Sequence, residues 1–188
     1  MTLLILGSIL FLTSYMISAF GLRARVEAIG GHHVYMGLVT VLSVISLMMI
    51  VIGYQQTSYQ QVWMPLPASY SLVSYLMPIA AILMVAGNIP SNIGRHIKHP
   101  MLTGIAVWGF LHLLANGDLS STIIFITFGG YTIYRLLTLQ PRPSESKPIY
   151  WDGLAIALGL VVYHLLYYFH EYHLLYYFHE ALSGVELS

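Results

Sequence analysis

The chain has no cysteine, and charged residues make up only 7% of its 188 positions. Without cysteine there is no disulfide, thiolate metal site, C-x-x-C-H haem attachment or cysteine nucleophile. Soluble domains carry about 25% charged residues, so this chain is too poor in charge to cover a surface that faces water. The formal net charge of zero gives no basic surface for nucleic acid. We therefore expect no nucleic-acid partner and a lipid bilayer as the main solvent.

Long apolar runs dominate instead, and the chain is 57% hydrophobic with a mean hydropathy of +0.75. A span needs about 30 Å of apolar helix, and six runs approach or exceed this length. They lie at residues 2–20, 34–54, 71–88, 101–115, 119–139 and 153–180. The pattern predicts one all-α, polytopic transmembrane bundle over residues 1–188, with the third helix kinked or broken near Pro78. The first run lacks the flanks of a signal peptide, so we expect a retained anchor.

The basic residues fix an orientation for these runs. The loops after the second and fourth helices, 55–70 and 116–118, contain no Lys or Arg. All seven basic residues belong to the odd-numbered loops: Arg23, Arg25, Arg95, Lys98, Arg135, Arg142 and Lys147. Because basic loops stay cytoplasmic, we predict six spans with both termini outside, in a bacterial inner membrane. The uncharged, aromatic loop 55–70 is predicted to be re-entrant or to lie at the membrane surface.

The C-terminal run contains an exact tandem repeat. Residues 163–171 and 172–180 both read Tyr-His-Leu-Leu-Tyr-Tyr-Phe-His-Glu. A helix over residues 153–180 would be about 42 Å long, more than the hydrocarbon requires. We expect one copy to complete the span and the other to lie at or beyond the outer interface, and the sequence leaves open which does which. A recent duplication without function is the simpler explanation of the repeat.

The densest polar cluster, residues 94–100, leads into the fourth predicted helix. Pro100 suits the first helical position, which places His99 beside the unpaired N–H groups of the helix start. With Arg95 and Lys98 nearby, this corner suits an anionic group such as a phosphate or a haem propionate. An ordinary positively charged loop that caps a helix would account for the same residues.

Trp108 and His112 lie one turn apart on this helix. A histidine within a span indicates either function or a hydrogen bond to another helix. His99 and His112 are about 20 Å apart along the axis, so they cannot bind the same iron. His164 in the sixth helix lies close to the depth of His112, which admits a bis-histidine haem pair. Other histidines are expected at the interface without chemistry: His32, His33, His170, His173 and His179.

A three-residue turn, Asn116-Gly117-Asp118, joins the fourth and fifth predicted helices. Asn116 or Gly117 can end the first of these helices, and Asp118 can cap the next. Asp118 could also orient a histidine or carry a proton, but capping is the simpler role. We expect the two helices to form a tight antiparallel hairpin.

The stretch from Arg95 to Phe125 resembles the hallmark of the NnrU family of membrane proteins. The matching positions are His99-Pro100-Met101-Leu102, Trp108, His112 through Asp118, and Ser120. The family's contiguous Arg-His-Pro is here Lys98-His99-Pro100, with Arg95-His96 just before it. The likeness extends to a His-Glu-x-Leu-x-Gly-Val ending at residues 179–185.

The family takes its name from a protein associated with expression of nitrite and nitric oxide reductases, and it is related to 15-cis-zeta-carotene isomerase, a haem b membrane enzyme. The resemblance implies a protein that binds haem b and is linked to denitrification or to redox-gated isomerisation of an apolar substrate. Together with the positions argued above, this gives His99 and His112 as the candidate metal ligands, with Arg95, Lys98, Trp108 and His164 also in the predicted cofactor site. Relatives carry a histidine in the first helix, where this chain has Thr-Ser-Tyr-Met at 13–16. If that histidine is a ligand, this protein either uses another residue, with Tyr15 as the candidate, or binds no haem.

Two alternatives stand beside this hypothesis. One is a non-enzymatic membrane subunit that supports assembly of a respiratory complex, with a membrane-complex partner or a homo-oligomer. The other is an S-adenosylmethionine-dependent methyltransferase, because the His-Pro helix start also resembles the Arg-His-Pro of membrane isoprenylcysteine and phospholipid methyltransferases. Those enzymes carry a later Glu-Glu pair, for which this chain offers only Glu145.

Overall fold

The computed structural model describes residues 1–19, 22–140 and 145–183, leaving out the side chains of 17–19, 171 and 173–183. This part of the chain is all-α, as predicted, with one isolated β-bridge between Gln61 and Asp118. Its helices are α1 Thr2–Ala19, α2 Arg23–Gln55, α3 Pro67–Ala86, α4 Ile93–His96, α5 Pro100–Ala115, α6 Leu119–Thr138 and α7 Tyr150–Ser183. Arg142 and the Gly184-Val185 ending of the predicted motif lie outside the described residues.

Each of the six predicted apolar runs corresponds to one of these helices, and the short α4 was not predicted. Three helical segments are long and apolar enough to cross a membrane: Arg23–Gln55, Pro67–Ala86 and Tyr150–His170. Thr2–Met16 and Pro100–Ala115 are shorter apolar helices. Many large apolar side chains on these helices face outward, for example Val41 and Met48 on α2, which fits a helical membrane protein.

The start of α2 and the path of α3 at Pro78 differ from the predictions. α2 begins at Arg23 rather than near residue 34, because a first turn paired by Arg23 and Glu27 (2.9 Å) precedes the apolar run. Gly31, with φ 78°, interrupts the helix in a conformation that glycine adopts readily. α3 continues through Pro78, so the predicted break is wrong, while the predicted kink stays a prediction. A neighbouring helix can compensate for the missing proline N–H.

The chain contacts fall into two compact units, of which the first is Met1–Val73 with Gly109–Arg135. Here α1 packs along α2 around buried Leu4, Phe11 and Ile50. The backbones approach closely at Gly53, where an added Cβ would lie 2.8 Å from the Cα of Leu4. Buried hydroxyls bond to carbonyls of their own helix, so they cost little: Ser8 to Leu4 at 2.9 Å and Ser46 to Ser43 at 2.8 Å.

The second unit is Ser74–Trp108 with Leu136–Ser188. Its helices also meet at small residues, as is common between membrane helices. A Cβ at Gly104 of α5 would lie 2.6 Å from the Ala80 carbonyl oxygen of α3, and a Cβ at Gly159 of α7 would lie 2.5 Å from the Cα of Ile82. The backbone of α7 is helical through both copies of the tandem repeat, so the repeat itself does not end the helix.

Candidate functional site

His99 lies immediately before α5, as the proline at 100 predicts. Its carbonyl accepts the first backbone bond of the helix, from Thr103 N at 2.9 Å, and a second bond from Thr103 Oγ1 at 3.1 Å. The imidazole, unlike the backbone carbonyl, is not fully hydrogen-bonded: Nε2 is buried and has no hydrogen-bond partner among the described residues. A buried nitrogen without a partner costs about 1–3 kcal/mol. This atom is therefore the point of the predicted site that most requires a ligand.

Two cationic side chains flank His99 in sequence. Arg95 is in the short α4 and Lys98 follows it, and both are exposed. Neither forms an ion pair within the ranges that the structure describes. The stretch thus combines a buried imidazole nitrogen with exposed positive charge close to it along the chain. These are donor types that could hold an anionic group or a metal-containing cofactor.

His112 occupies the last turn of α5, in the hairpin with α6. Its ring centroid is 5.0 Å from that of Phe125, at an interplanar angle of 37°. A Cβ at Gly109 would lie 3.4 Å from the Cα of Gly129, which confirms the close antiparallel contact of the two helices. Trp108 is half-buried. His99 and His112 lie at opposite ends of one helix, about 20 Å apart, so they do not share a ligand site.

His164 is exposed on α7, and its Nδ1 is 2.8 Å from the Leu160 carbonyl oxygen. Because a carbonyl can only accept, Nδ1 is the donor. In the neutral ring this leaves the lone pair on Nε2 available to a metal. The pairing of His112 with His164 stays a prediction. In the described part of the chain, no three His, Asp or Glu side chains cluster as a metal site.

Tyr15, the alternative ligand of α1, lies among aromatic rings. Its centroid is 4.7 Å from that of Phe11 and 5.4 Å from that of Tyr131. Phe11 also contacts Phe128 of α6 at 4.4 Å. These contacts give Tyr15 a packing role in the first unit, and its role as a ligand stays a prediction.

The 116–118 turn connects α5 to α6 and bonds to the loop after α2. Asp118 is buried and its Oδ2 accepts the backbone N–H of Ser121 at 2.8 Å, which confirms the predicted cap of α6. The Gly117 carbonyl accepts two backbone bonds from the loop after α2, from Val62 at 2.7 Å and from Trp63 at 3.1 Å. A side chain at Gly117 would overlap the Trp63 carbonyl oxygen. The turn therefore needs glycine for close approach and aspartate for the cap.

Removing this cap is expected to lower stability measurably. Asp118→Ala loses the acceptor for Ser121 N, and such losses cost about 0.5–2 kcal/mol. Asp118→Asn keeps an acceptor oxygen and should stay within a few tenths of the parent, since Asn caps as well as Asp. The SDS-unfolding midpoint of each variant in mixed micelles gives the comparison. Equal losses in both variants would show that the negative charge, rather than the cap, is what matters.

The sequence did not reveal a polar junction between Asn92 and Asp152. The Asn92 backbone N–H donates to Asp152 Oδ1 at 2.6 Å, and its Nδ2 donates to Oδ2 at 2.8 Å. Nδ2 also donates to the Lys147 carbonyl at 2.8 Å, while Oδ1 accepts the Lys147 N–H at 2.8 Å. An isolated acid in the first turn of an apolar helix was the available signal. An acid at that position suggests that Asp152 interacts with the helix dipole. It does not identify Asn92, 60 residues away, as the hydrogen-bond partner.

Comparison with known proteins gives a family. A family model described as NnrU protein matches residues 3–186. No curated protein and no solved structure matches the chain. The matched residues include His99 and its basic neighbours Arg95 and Lys98, His112, the 116–118 turn and the described helices. The chain therefore belongs to the NnrU family.

Proposed function

We propose that this NnrU protein binds haem b within a six-span membrane bundle and that His99 is an axial ligand. The observation that carries the proposal is the buried His99 Nε2, which has no hydrogen-bond partner in the described chain. Haem iron accepts such a nitrogen. The exposed Arg95 and Lys98 would meet the propionates, which prefer charge-assisted bonds. When bound, haem would supply one-electron redox chemistry.

The alternative to His99 is the predicted pair of His112 and His164, because His99 lies about 20 Å from His112 along α5 and cannot share its iron. His164 has its Nδ1 bonded to a carbonyl at 2.8 Å, which orients the ring with Nε2 available. His112 is half-buried beside Phe125, and its distance along α5 from His99 places it at a different depth. A link to denitrification or to redox-gated isomerisation of an apolar substrate is part of the same proposal. It is supported by membership of the family.

Hydrogen bonds between loops of the same unit support the proposed six-span topology. The N-terminal amine donates to Thr57 Oγ1 at 2.9 Å, next to the loop that bonds to Gly117. The amino terminus and the second and fourth predicted loops thus form one group. Asn92 bonds to Lys147 and Asp152, which joins the third and fifth predicted loops in another group. Each grouping, taken within its own unit, is what the proposed topology requires of those loops.

Absorption spectra of the purified protein test the haem proposal. We expect a Soret band in the oxidised protein that shifts, with sharpened α and β bands, on reduction with dithionite. His99→Ala should lose haem or convert it to a high-spin spectrum because one axial nitrogen is gone. His96→Ala removes an exposed histidine three positions away and should keep the parent spectrum.

The remaining variants distinguish the His99 site from the alternative pair. If His112→Ala and His164→Ala both change the spectrum while His99→Ala does not, His112 and His164 hold the haem instead of His99. A protein without a Soret band in either redox state, when expressed with ample haem, would contradict the proposal. An unchanged spectrum in His99→Ala would remove this residue from the site.

A further inference from the structure

The loop between α2 and α3, residues 56–66, exposes an unusual set of side chains. It belongs to a stretch from Ala28 to Gly94 that contains no Asp, Glu, Lys or Arg. The first half of the loop exposes uncharged polar side chains at Gln56, Ser58, Gln60 and Gln61. The loop and the start of α3 also expose large apolar or aromatic side chains: Tyr59 (72% exposed), Val62 (53%), Met64 (82%), Leu66 (60%) and Tyr70 (59%). A set of exposed apolar side chains of this kind is typical of a contact with a membrane or a partner.

The backbone that carries these side chains is fixed to the 116–118 turn. Val62 N and Trp63 N both donate to the Gly117 carbonyl, and Leu119 N donates to the Gln60 carbonyl at 2.8 Å. Trp63 and Pro65 are half-buried beneath, next to Gly117. Met64 and Leu66, which alternate with them, point outward. The loop therefore presents its apolar side chains from a preformed backbone, which lowers the ordering cost of binding.

The position of the loop identifies what it meets. It joins α2 and α3, both long and apolar enough to cross a membrane. Residues 56–66 can reach at most about 35–40 Å when fully extended, so the loop stays near the surface where both helices emerge. Tyrosine and tryptophan are enriched at that level of a bilayer. The absence of charge disfavours a charged protein surface or an anionic headgroup as the partner.

We propose that residues 59–70 form a membrane-surface anchor, with Met64 and Leu66 inserted at the boundary between headgroups and acyl chains of the outer leaflet. The anchor holds the 116–118 turn at the bilayer surface through the Gly117 bonds. Because it is uncharged, it binds zwitterionic lipid as well as anionic lipid. The assignment to the outer leaflet rests on the proposed six-span topology.

Because the chain has no native cysteine, a thiol-reactive label attaches only to a cysteine that is introduced by substitution. The full-length protein with Met64→Cys carries a nitroxide and is reconstituted in phosphatidylcholine vesicles, with and without phosphatidylglycerol. Collision rates with oxygen, which concentrates in lipid, and with Ni-EDDA, which stays in water, report the depth of the label. Met48→Cys on the outer face of α2 is the lipid reference, and Ser146→Cys, exposed between α6 and α7, is the water reference.

We expect the Met64 label to collide more with oxygen than with Ni-EDDA, as the Met48 label does, in both lipid mixtures. Nickel collisions at the level of the Ser146 label would overturn the anchor, because the loop would then face water. A label that neither reagent reaches would also overturn it in favour of protein coverage by a second copy or a partner. An oxygen excess that requires phosphatidylglycerol would overturn the charge-independent binding.

A separate measurement keeps the topology and the anchor distinguishable. Ser146→Cys in intact cells should be protected from a membrane-impermeant maleimide if its loop is cytoplasmic. Reaction at Ser146 from outside would contradict the six-span orientation, whatever the depth of the Met64 label. Protection at Ser146 together with a water-exposed Met64 label would contradict the anchor alone. The haem spectrum of the labelled protein shows whether the cofactor proposal is affected.

Discussion

Replacing Gly53 by alanine is expected to lower the free energy of unfolding by about 1–3 kcal/mol, the usual cost of overpacking. The added methyl group would lie 2.8 Å from the Cα of Leu4 and 2.9 Å from the carbonyl carbon of Leu3. Both are backbone atoms of α1, which cannot rotate away as a flexible side chain can. The two helices must separate, and this costs dispersion contacts around Leu4 and Ile50. Reversible SDS unfolding in mixed micelles measures the loss.

Gly37→Ala is the matched control, because it places the same methyl group in the same helix. No atom lies within 4 Å of a Cβ at Gly37, and alanine favours the helix by about 0.5–1 kcal/mol. We therefore expect opposite signs: Gly37→Ala neutral or stabilising, Gly53→Ala destabilising. Gly7→Ala should behave like Gly53→Ala, since its Cβ would lie 2.8 Å from the Cβ of Met49. Equal effects at positions 37 and 53 would contradict the close contact of α1 and α2.

The sequence predicted the local features of the fold well. Pro100 as the first residue of α5 and Asp118 as the cap of α6 follow from unpaired N–H groups at a helix start, which is a local requirement. The apolar runs predicted a helix at each position because membrane helices need length and hydropathy more than a particular pattern. The early start of α2 was missed because a charged turn, held by Arg23 and Glu27, has no apolar signal.

The tertiary contacts could not be predicted in the same way. Gly53 is indistinguishable from Gly37 in sequence, yet one lies against α1 and the other against open space. The bond between Asn92 and Asp152 and the bonds of Gly117 to the loop after α2 join residues far apart in the chain. For the candidate site, spacing along one helix was enough to separate His99 from His112. The buried, unpartnered Nε2 of His99 depends on packing and needed the structure.

Asn92→Asp is expected to disrupt the junction at the start of α7 more than removal of a single hydrogen bond would. The change replaces Nδ2, which donates to Asp152 Oδ2 and to the Lys147 carbonyl, each at 2.8 Å, with an oxygen that can only accept. The bond lost is one to a charged group, which is stronger than a bond between neutral groups, and two carboxylates then face each other. Asn88→Asp is the control. The exposed Asn88 amide, in the turn after α3, donates to Met84 O at 2.8 Å and to Met101 Sδ at 3.5 Å, and because neither acceptor is charged the change should cost less.

The double variant Asn92→Asp with Asp152→Asn exchanges the two groups and tests whether this contact causes the loss. It places a donor opposite an acceptor again, so we expect it to recover part of the stability lost in Asn92→Asp, although the new carboxylate still faces the Lys147 carbonyl. The difference between the double variant and the sum of the single variants is the coupling free energy. Each is measured by SDS unfolding at one pH and ionic strength. A coupling free energy near zero would mean that the amide and the carboxylate are not in contact in the folded protein. A clear recovery would show that this contact holds the start of α7 beside the Asn92 turn.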